Sequence, residues 1–251
     1  MKKVMSMSKT ILILATLLAA VALPARADFS TATFTTGFPT TVPDGSTVGL
    51  MDARTLTGIP FNTIQDVNVR INLSGGWNGD LYAYLVHNSG FSVLLNRVGR
   101  SLAEGTSFGY SDAGMNVTFD DQSTHTRDFH FYRSEGGFTT AMLTGGEAWK
   151  PDGRNINPTS PSSTYDSTSP TALLSSFNGL DPNGSWTLFI ADLSAGSQST
   201  INSWGLDIVG INVAAVAEPA SIIEGSLAAL FLGALVSIYR IRKPQAEPLP
   251  A

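Results

Sequence analysis

The 251-residue chain has no cysteine, and only 14% of its residues are charged. The first absence excludes a disulfide scaffold, a thiolate zinc site and a cysteine nucleophile. Lys and Arg number 15 against 20 Asp and Glu, a formal net charge of −5. That balance lacks the concentrated basic face of a nucleic-acid binder, so nucleic acid is excluded as a partner. Histidine is scarce, with only His87, His125 and His130 available to act as a general base or metal ligand. Between Asp28 and Ala217 no stretch carries a convincing helical period. Nor is there a repeat of about 20–50 residues that would indicate a solenoid or propeller. What remains is a chain rich in Gly (24) and Pro (13), long enough for one or at most two domains with a substantial core.

The strongly apolar runs sit at the two ends. Lys2, Lys3 and Lys9 precede an apolar stretch from Ile11 to Leu23, and Ala25-Arg26-Ala27 follows. A charged region, an apolar region and a small-x-small site are the parts of a secretory signal peptide, predicting residues 1–27 with cleavage after Ala27. The other end carries an apolar run from Ile222 to Tyr239, interrupted by Glu224, and then Arg240, Arg242 and Lys243. At ~1.5 Å per residue a helix over 222–239 reaches roughly 27 Å, enough to span a bilayer. The basic cluster behind it predicts a cytoplasmic tail over 244–251, with the body outside. Without these ends the exported body keeps eight basic and seventeen acidic residues, a formal charge of −9, and Lys150 is its one lysine. Such a surface favours cations or neutral partners and repels polyanions.

Val216-Ala217-Glu218-Pro219-Ala220-Ser221, one apolar span and a basic end resemble the PEP-CTERM sorting signal of Gram-negative bacteria. The resemblance assigns residues 214–243 to sorting and anchoring, with Glu218, Pro219, Arg240, Arg242 and Lys243 as its signal residues. It implies processing by a membrane-embedded exosortase in bacteria that make extracellular polysaccharide.

In the body the recurring signal is the strand. Val67, Val69, Ile71 and Leu73 alternate with polar residues, the period-two pattern of a half-buried strand. The turn Gly75 to Asp80 leads into Leu81–Val86, and Asn88-Ser89-Gly90 turns into Phe91–Leu95 as a hairpin. Met115–Phe119, Ser185–Ala191 and Ile201–Val209 complete the set. Trp186, Leu188 and Ile190 fall on one face, as do Trp204, Leu206 and Ile208. Short strands with Gly and Asn turns predict an all-β sandwich or jelly roll over residues 28–213. The stretch Pro151–Pro170, rich in Pro, Ser, Thr and Asn, reads as a long surface loop with little to bury.

Asp181-Pro182-Asn183-Gly184-Ser185-Trp186-Thr187-Leu188-Phe189-Ile190-Ala191-Asp192 and the later Ile201-Asn202-Ser203-Trp204-Gly205-Leu206-Asp207-Ile208 resemble the end of a P domain (Homo B domain). Gly79-Asp80-Leu81 is similar to that family's first hairpin, and Pro43-Asp44-Gly45 to the segment before it. The resemblance runs from roughly Phe34 to Val209. It implies a galactose-binding-like jelly-roll β-sandwich. This module follows the catalytic domain in kexin- and furin-like convertases and also occurs alone in bacterial exported proteins.

Four chemistries compete for the polar residues. Serine-protease catalysis needs a His and an orienting acid; the pattern around Asp120, Asp121, His125, Asp128 and His130 could bring carboxylates and imidazoles together, as hydrolases and metal sites require, against a simple solvated loop or edge-strand pair. No subtilisin-like segment surrounds any Ser, so no catalytic residue is expected. For glycoside hydrolysis the acids are Asp80, Asp181, Asp192 and Asp207, all beside turn residues where capping is the simpler role. Calcium needs several oxygen ligands. Asp80 with Asn78, and Asp192 with Asp181, are the expected set if both turns lie at one end of the sandwich, against purely structural Asp turns. Trp77 and Trp149 are expected to be exposed and available to stack on a ligand, whereas Trp186 and Trp204 belong to the core.

The resulting expectation is an exported, membrane-anchored or surface-sorted non-catalytic module that binds or scaffolds at the cell envelope or exopolysaccharide matrix. Its partners are the secretion machinery, the membrane, an exosortase, and a polysaccharide or surface protein. The alternative is a P domain acting with a subtilisin- or kexin-like serine endopeptidase, or an unrecognised hydrolase. If the tail is processed, mass spectrometry of the surface-located protein finds no peptide containing Arg240–Lys243; intact tail there excludes processing.

Overall fold

A computed structural model of the chain describes residues 26–213. Two β-sheets face each other across one apolar core, so the body is an all-β sandwich. The strands are β1 (Asp28–Phe34), β2 (Thr40–Thr41), β3 (Leu50–Leu56), β4 (Thr63–Gly75) and β5 (Leu81–His87). They continue with β6 (Gly90–Asn96), β7 (Met115–Phe119), β8 (Ala148–Trp149), β9 (Gly184–Asp192) and β10 (Ser199–Ile211). One sheet runs β1-β10-β4-β7-β8, with β2 also pairing β10; the other runs β3-β9-β5-β6. All pairings are antiparallel except the short β7–β8 contact.

The alternation in the sequence becomes the inner face. Ile64, Val67, Val69, Ile71 and Leu73 of β4 lie buried opposite Leu81, Ala83 and Leu85 of β5 and Trp186, Leu188 and Ile190 of β9. On β10 both Ile201 and Trp204 point inward although they are three positions apart, an odd offset that would put them on opposite faces of a regular strand. A register shift between Ile201 and Ser203 makes this possible, because a bulge inserts one unpaired residue and resets the faces. The core cluster is drawn entirely from residues between Val42 and Ile208, so the body carries its own core.

Two long strands escaped the sequence pattern, as did the two-residue β2 and β8. β1 (DFSTATF) and β3 (LMDARTL) alternate in burial without alternating in hydropathy, because each sits at a sheet edge and half-buries small or polar residues. The stretch 151–170 is a correction of another kind. It holds a short helix, Ser162–Ser167, and buries Asp152, Arg154 and Tyr165 completely or nearly so. Its composition hides this because the buried groups are polar and satisfy one another. No helix among the described residues is long and apolar enough to cross a membrane. Ala25, the apolar runs 11–23 and 222–239, and the sorting residues Glu218, Pro219, Arg240, Arg242 and Lys243 lie outside the described residues.

Trp204 shows what holds the two layers together. Its ring packs 4.5 Å from that of Phe34, and its indole N–H donates to Asp52 Oδ2 at 2.6 Å, tying β10 to β3 in the opposite sheet. Trp204→Ala removes that ring and leaves a cavity, so urea denaturation is expected to show a loss of about 3–5 kcal/mol.

Candidate cation-binding cleft

Three loops meet at one edge of the sandwich. After β4 the chain turns through Gly75 and Gly76, with φ of +68° and +65°. A Cβ on Gly76 would collide with the Ser199 hydroxyl, so only glycine lets this turn lie against the start of β10. A single 3-10 turn, Asn78–Asp80, follows and delivers the chain to β5. Leu81 pairs with Asp192, and the Asp80 carbonyl accepts the Leu193 N–H at 2.8 Å, which brings Asp80 to the end of β9. The third loop is Pro43–Ser46. The Ser46 N–H donates to the Asp192 carbonyl at 2.8 Å, and the Gly196 N–H donates to the Asp44 carboxylate at 3.0–3.2 Å.

The acids gathered there are poorly satisfied. Asp192 is fully buried, and neither carboxylate oxygen has a hydrogen-bond partner. Burial first, and the neighbouring Asp80 second, push its pKa up to about 6. The Ser199 hydroxyl and the Ser194 backbone N–H lie beside it and pull the other way, but both stop short of good hydrogen-bond geometry, and the Ser199 hydroxyl is itself unpartnered. Asp80 is only 5% exposed. Burial raises its pKa, while the Ser194 hydroxyl and the Arg97 guanidinium, 3.6 Å away, lower it. Arg97 cannot turn further toward the acids, because its Nε donates to the Gly79 carbonyl at 2.7 Å.

In front of Asp80 opens a cavity of about 430 Å³, lined by Trp77, Asp80, Phe108 and Ser194–Ser197. Among the described residues no three His, Asp or Glu side chains converge as a metal cage. A hard cation here would take the two buried carboxylates and fill its remaining positions with hydroxyl, backbone or other oxygens, as calcium commonly does.

The residues expected from sequence divide. Asp80 and Asp192 come together, and Asp44 joins them. Asn78 is buried next to Asp80, but its amide turns away, donating to the Gly114 carbonyl at 3.1 Å and lying beside the Tyr132 hydroxyl. Asp181 is a correction. It stands before β9, whereas Asp192 ends that strand, so at ~3.3 Å per residue they are roughly 25 Å apart. Asp181 caps its own turn, accepting the Asn183 N–H and side-chain amide, each at 2.9 Å. Trp77 is 45% exposed at the cleft, but Trp149 is a second correction, being wholly buried. Its ring stacks 3.7 Å from that of His125 and its N–H reaches the Met142 carbonyl, so nothing is left for a ligand.

The histidines form no catalytic set. Among the described residues none of the three imidazoles hydrogen-bonds a Ser or Thr hydroxyl. His125 lies between Glu147 (3.2 Å) and Glu135 (3.9 Å). His130 is buried, with Nδ1 2.6 Å from Asp152 Oδ2 and Nε2 3.2 Å from the Arg100 carbonyl. Both ring nitrogens therefore face oxygen atoms. Arg154 completes the cluster, 3.3 Å from Asp152 and 3.1 Å from Asp128.

No protein-family model matches the chain, and no curated protein matches it. Among solved structures, the chain is similar to the serine protease of Aeromonas sobria. In the complex of that protease with the chaperone ORF2, the match has 14% identity and a TM-score of 0.39, covering 76% of this chain and 28% of that one. Against the protease structure the identity is 14% and the TM-score 0.36, with 75% and 28% covered. The chain thus spans little more than a quarter of the length of the chains it matches.

The His130–Asp152–Arg154 cluster yields a pH prediction. Burial alone would raise the Asp152 pKa, but the two cations outweigh it and hold the carboxyl below its ordinary value of 3.8. Its stabilisation is therefore complete above that value and is lost as pH falls below it. Asp152→Asn is expected to cost about 3–5 kcal/mol at pH 7, because it strands two buried cations. In urea denaturation its difference from wild type should shrink as the pH is taken below 3.8.

Proposed function

We propose that the body is a P-domain-type binding module, exported and sorted to the cell envelope, which uses its acidic edge to load a calcium ion. The observation that carries the reading is the Asp192 carboxylate, buried with both oxygens unpartnered beside a second buried acid. A buried carboxylate left unpaired costs several kcal/mol and is ordinarily satisfied by a partner or a metal. The absence of cysteine adds to this, since an exported domain without disulfides gains from any ion that bridges three loops. The module itself performs no chemistry: its histidines are committed to structural contacts, and its partner is a polysaccharide or a surface protein.

A second reading rests on the sequence of Asp181–Asp192 and Ile201–Ile208, which resembles the P domain that accompanies serine endopeptidases. In that reading the same module serves a separate protease chain, which supplies the catalytic residues.

The test uses residues 28–217 of the chain. Calorimetric titration with calcium should show saturable binding, and melting should shift upward by the equivalent of about 2.7 kcal/mol at a hundredfold excess over Kd. Asp192→Asn should abolish both effects while melting no lower than the calcium-free wild type at pH 7, because it removes a buried unpaired charge. No heat and no shift at millimolar calcium, the range of extracellular sites, would overturn the reading. Peptide cleavage blocked by a serine-protease inhibitor would replace it with an enzymatic one.

A further inference from the structure

The cleft in front of Asp80 has features that loading an ion does not require. At about 430 Å³ it lies in the ~300–1,000 Å³ range of small-ligand sites. Two of the most exposed aromatic side chains among the described residues stand at its rim, Trp77 at 45% and Phe108 at 78% exposure. Neither ring packs against another aromatic residue among the described residues, whereas the other three tryptophans are buried. Their placement is enforced. Gly79 and Gly109 pack backbone to backbone, too close for a Cβ on either, and the Gly79 N–H donates to the Tyr110 carbonyl at 2.8 Å. The loop bearing Phe108 is thereby pinned against the turn bearing Trp77. The facing wall is Ser194 to Ser197, supplying hydroxyls and backbone, and no cationic side chain lines the cavity.

From this we propose that the cleft binds a neutral saccharide, whose apolar ring face packs on Trp77 and Phe108 while its hydroxyls complete the shell of the ion at Asp80 and Asp192. The inference rests on the calcium reading above and names the ligand of that same site. Two carboxylates leave most of the six to eight oxygen positions of calcium open, and Asp80 is the one of the two that faces the cleft, with Asp192 buried beside it. Aromatic rings with a few fixed polar groups are the general make-up of such pockets. The Asp80 carboxylate that lines the cleft and a body of formal charge −9 repel an anionic chain. A lysine- or arginine-bearing peptide is the competing occupant, and thermodynamic linkage separates the two. A saccharide that shares the ion binds more tightly with calcium present, and calcium binds more tightly with the saccharide. A cationic side chain competes with calcium for the same acids, so its linkage has the opposite sign.

The experiment follows intrinsic fluorescence, which reports Trp77 because it is the exposed indole. Residues 28–217 are titrated with dextran, galactomannan, free galactose, mannose and glucose, polygalacturonate and tetralysine, each with and without calcium. The expected result is a saturable blue shift with at least one neutral saccharide, only in calcium, and none with polygalacturonate. Trp77→Ala and Phe108→Ala should leave calcium titration calorimetry unchanged, while Phe108→Ala weakens saccharide binding about tenfold or more. For Trp77→Ala, retention on a column of the same saccharide reports the same loss. Calcium binding with no response to any neutral saccharide overturns this inference alone. A tetralysine response that calcium abolishes overturns it in favour of a cationic ligand. Failure to bind calcium overturns the underlying reading instead.

Discussion

The crossing from β9 to β10 is the constraint on which the rest of the sandwich depends. β9 lies between β3 and β5 in one sheet, and β10 lies between β1 and β4 in the other. The six residues between Asp192 and Ser199 therefore carry the chain across the core from an interior strand of one layer to an interior strand of the other. Both ends of that crossing are polar and fully buried, because a strand cannot leave one sheet and enter the next without taking its terminal residues between the layers. The unpaired acid and the unpaired hydroxyl at this edge follow from the crossing. So does the cleft wall, Ser194–Ser197, which is the crossing loop itself.

At the opposite pole of the energetics stands the segment 151–170. Asp152 sits where no water reaches, yet it accepts from His130, from Arg154 and from the Asn96 backbone N–H at 3.2 Å. Tyr165 extends the cluster by donating to Asn96 Oδ1 at 3.1 Å and lying parallel to His130 at 5.2 Å. Two buried acids thus meet different fates. Asp152 is surrounded by donors and cations and holds its charge, while Asp192 faces another carboxylate and is driven toward protonation. The contrast separates a buried acid that its neighbours satisfy from one that they do not.

Legibility from sequence followed hydropathy. Strands β4, β5, β6, β7, β9 and β10 all carry apolar residues at alternate positions and were readable, as were Trp186 and Trp204 as core. The edge strands β1 and β3 were not, because one side of an edge strand borders solvent and tolerates Thr, Ser and Arg. Trp149 was misplaced for a related reason. A polar neighbourhood in sequence said nothing of Phe129, Tyr132 and His125, which close around its ring from another segment. At the cleft, Asp80 and Trp77 were readable as turn residues, and Asp192 as the end of a strand. Phe108 was not, since its role depends on the Gly79–Gly109 contact between segments thirty residues apart.

The sequence by itself determined the class of fold, the central strands and the supply of carboxylates in glycine-rich turns, since local alternation and turn chemistry are written in neighbouring residues. Only the tertiary structure decided which of those carboxylates share a site. Asp181 and Asp192 flank one strand and look equivalent along the chain, yet an extended strand holds its two ends far apart. Asp44, Asp80 and Asp192, spread over nearly 150 residues, are brought together by the crossing between sheets. That separation and that convergence are properties of strand length and sheet order, which no local pattern encodes.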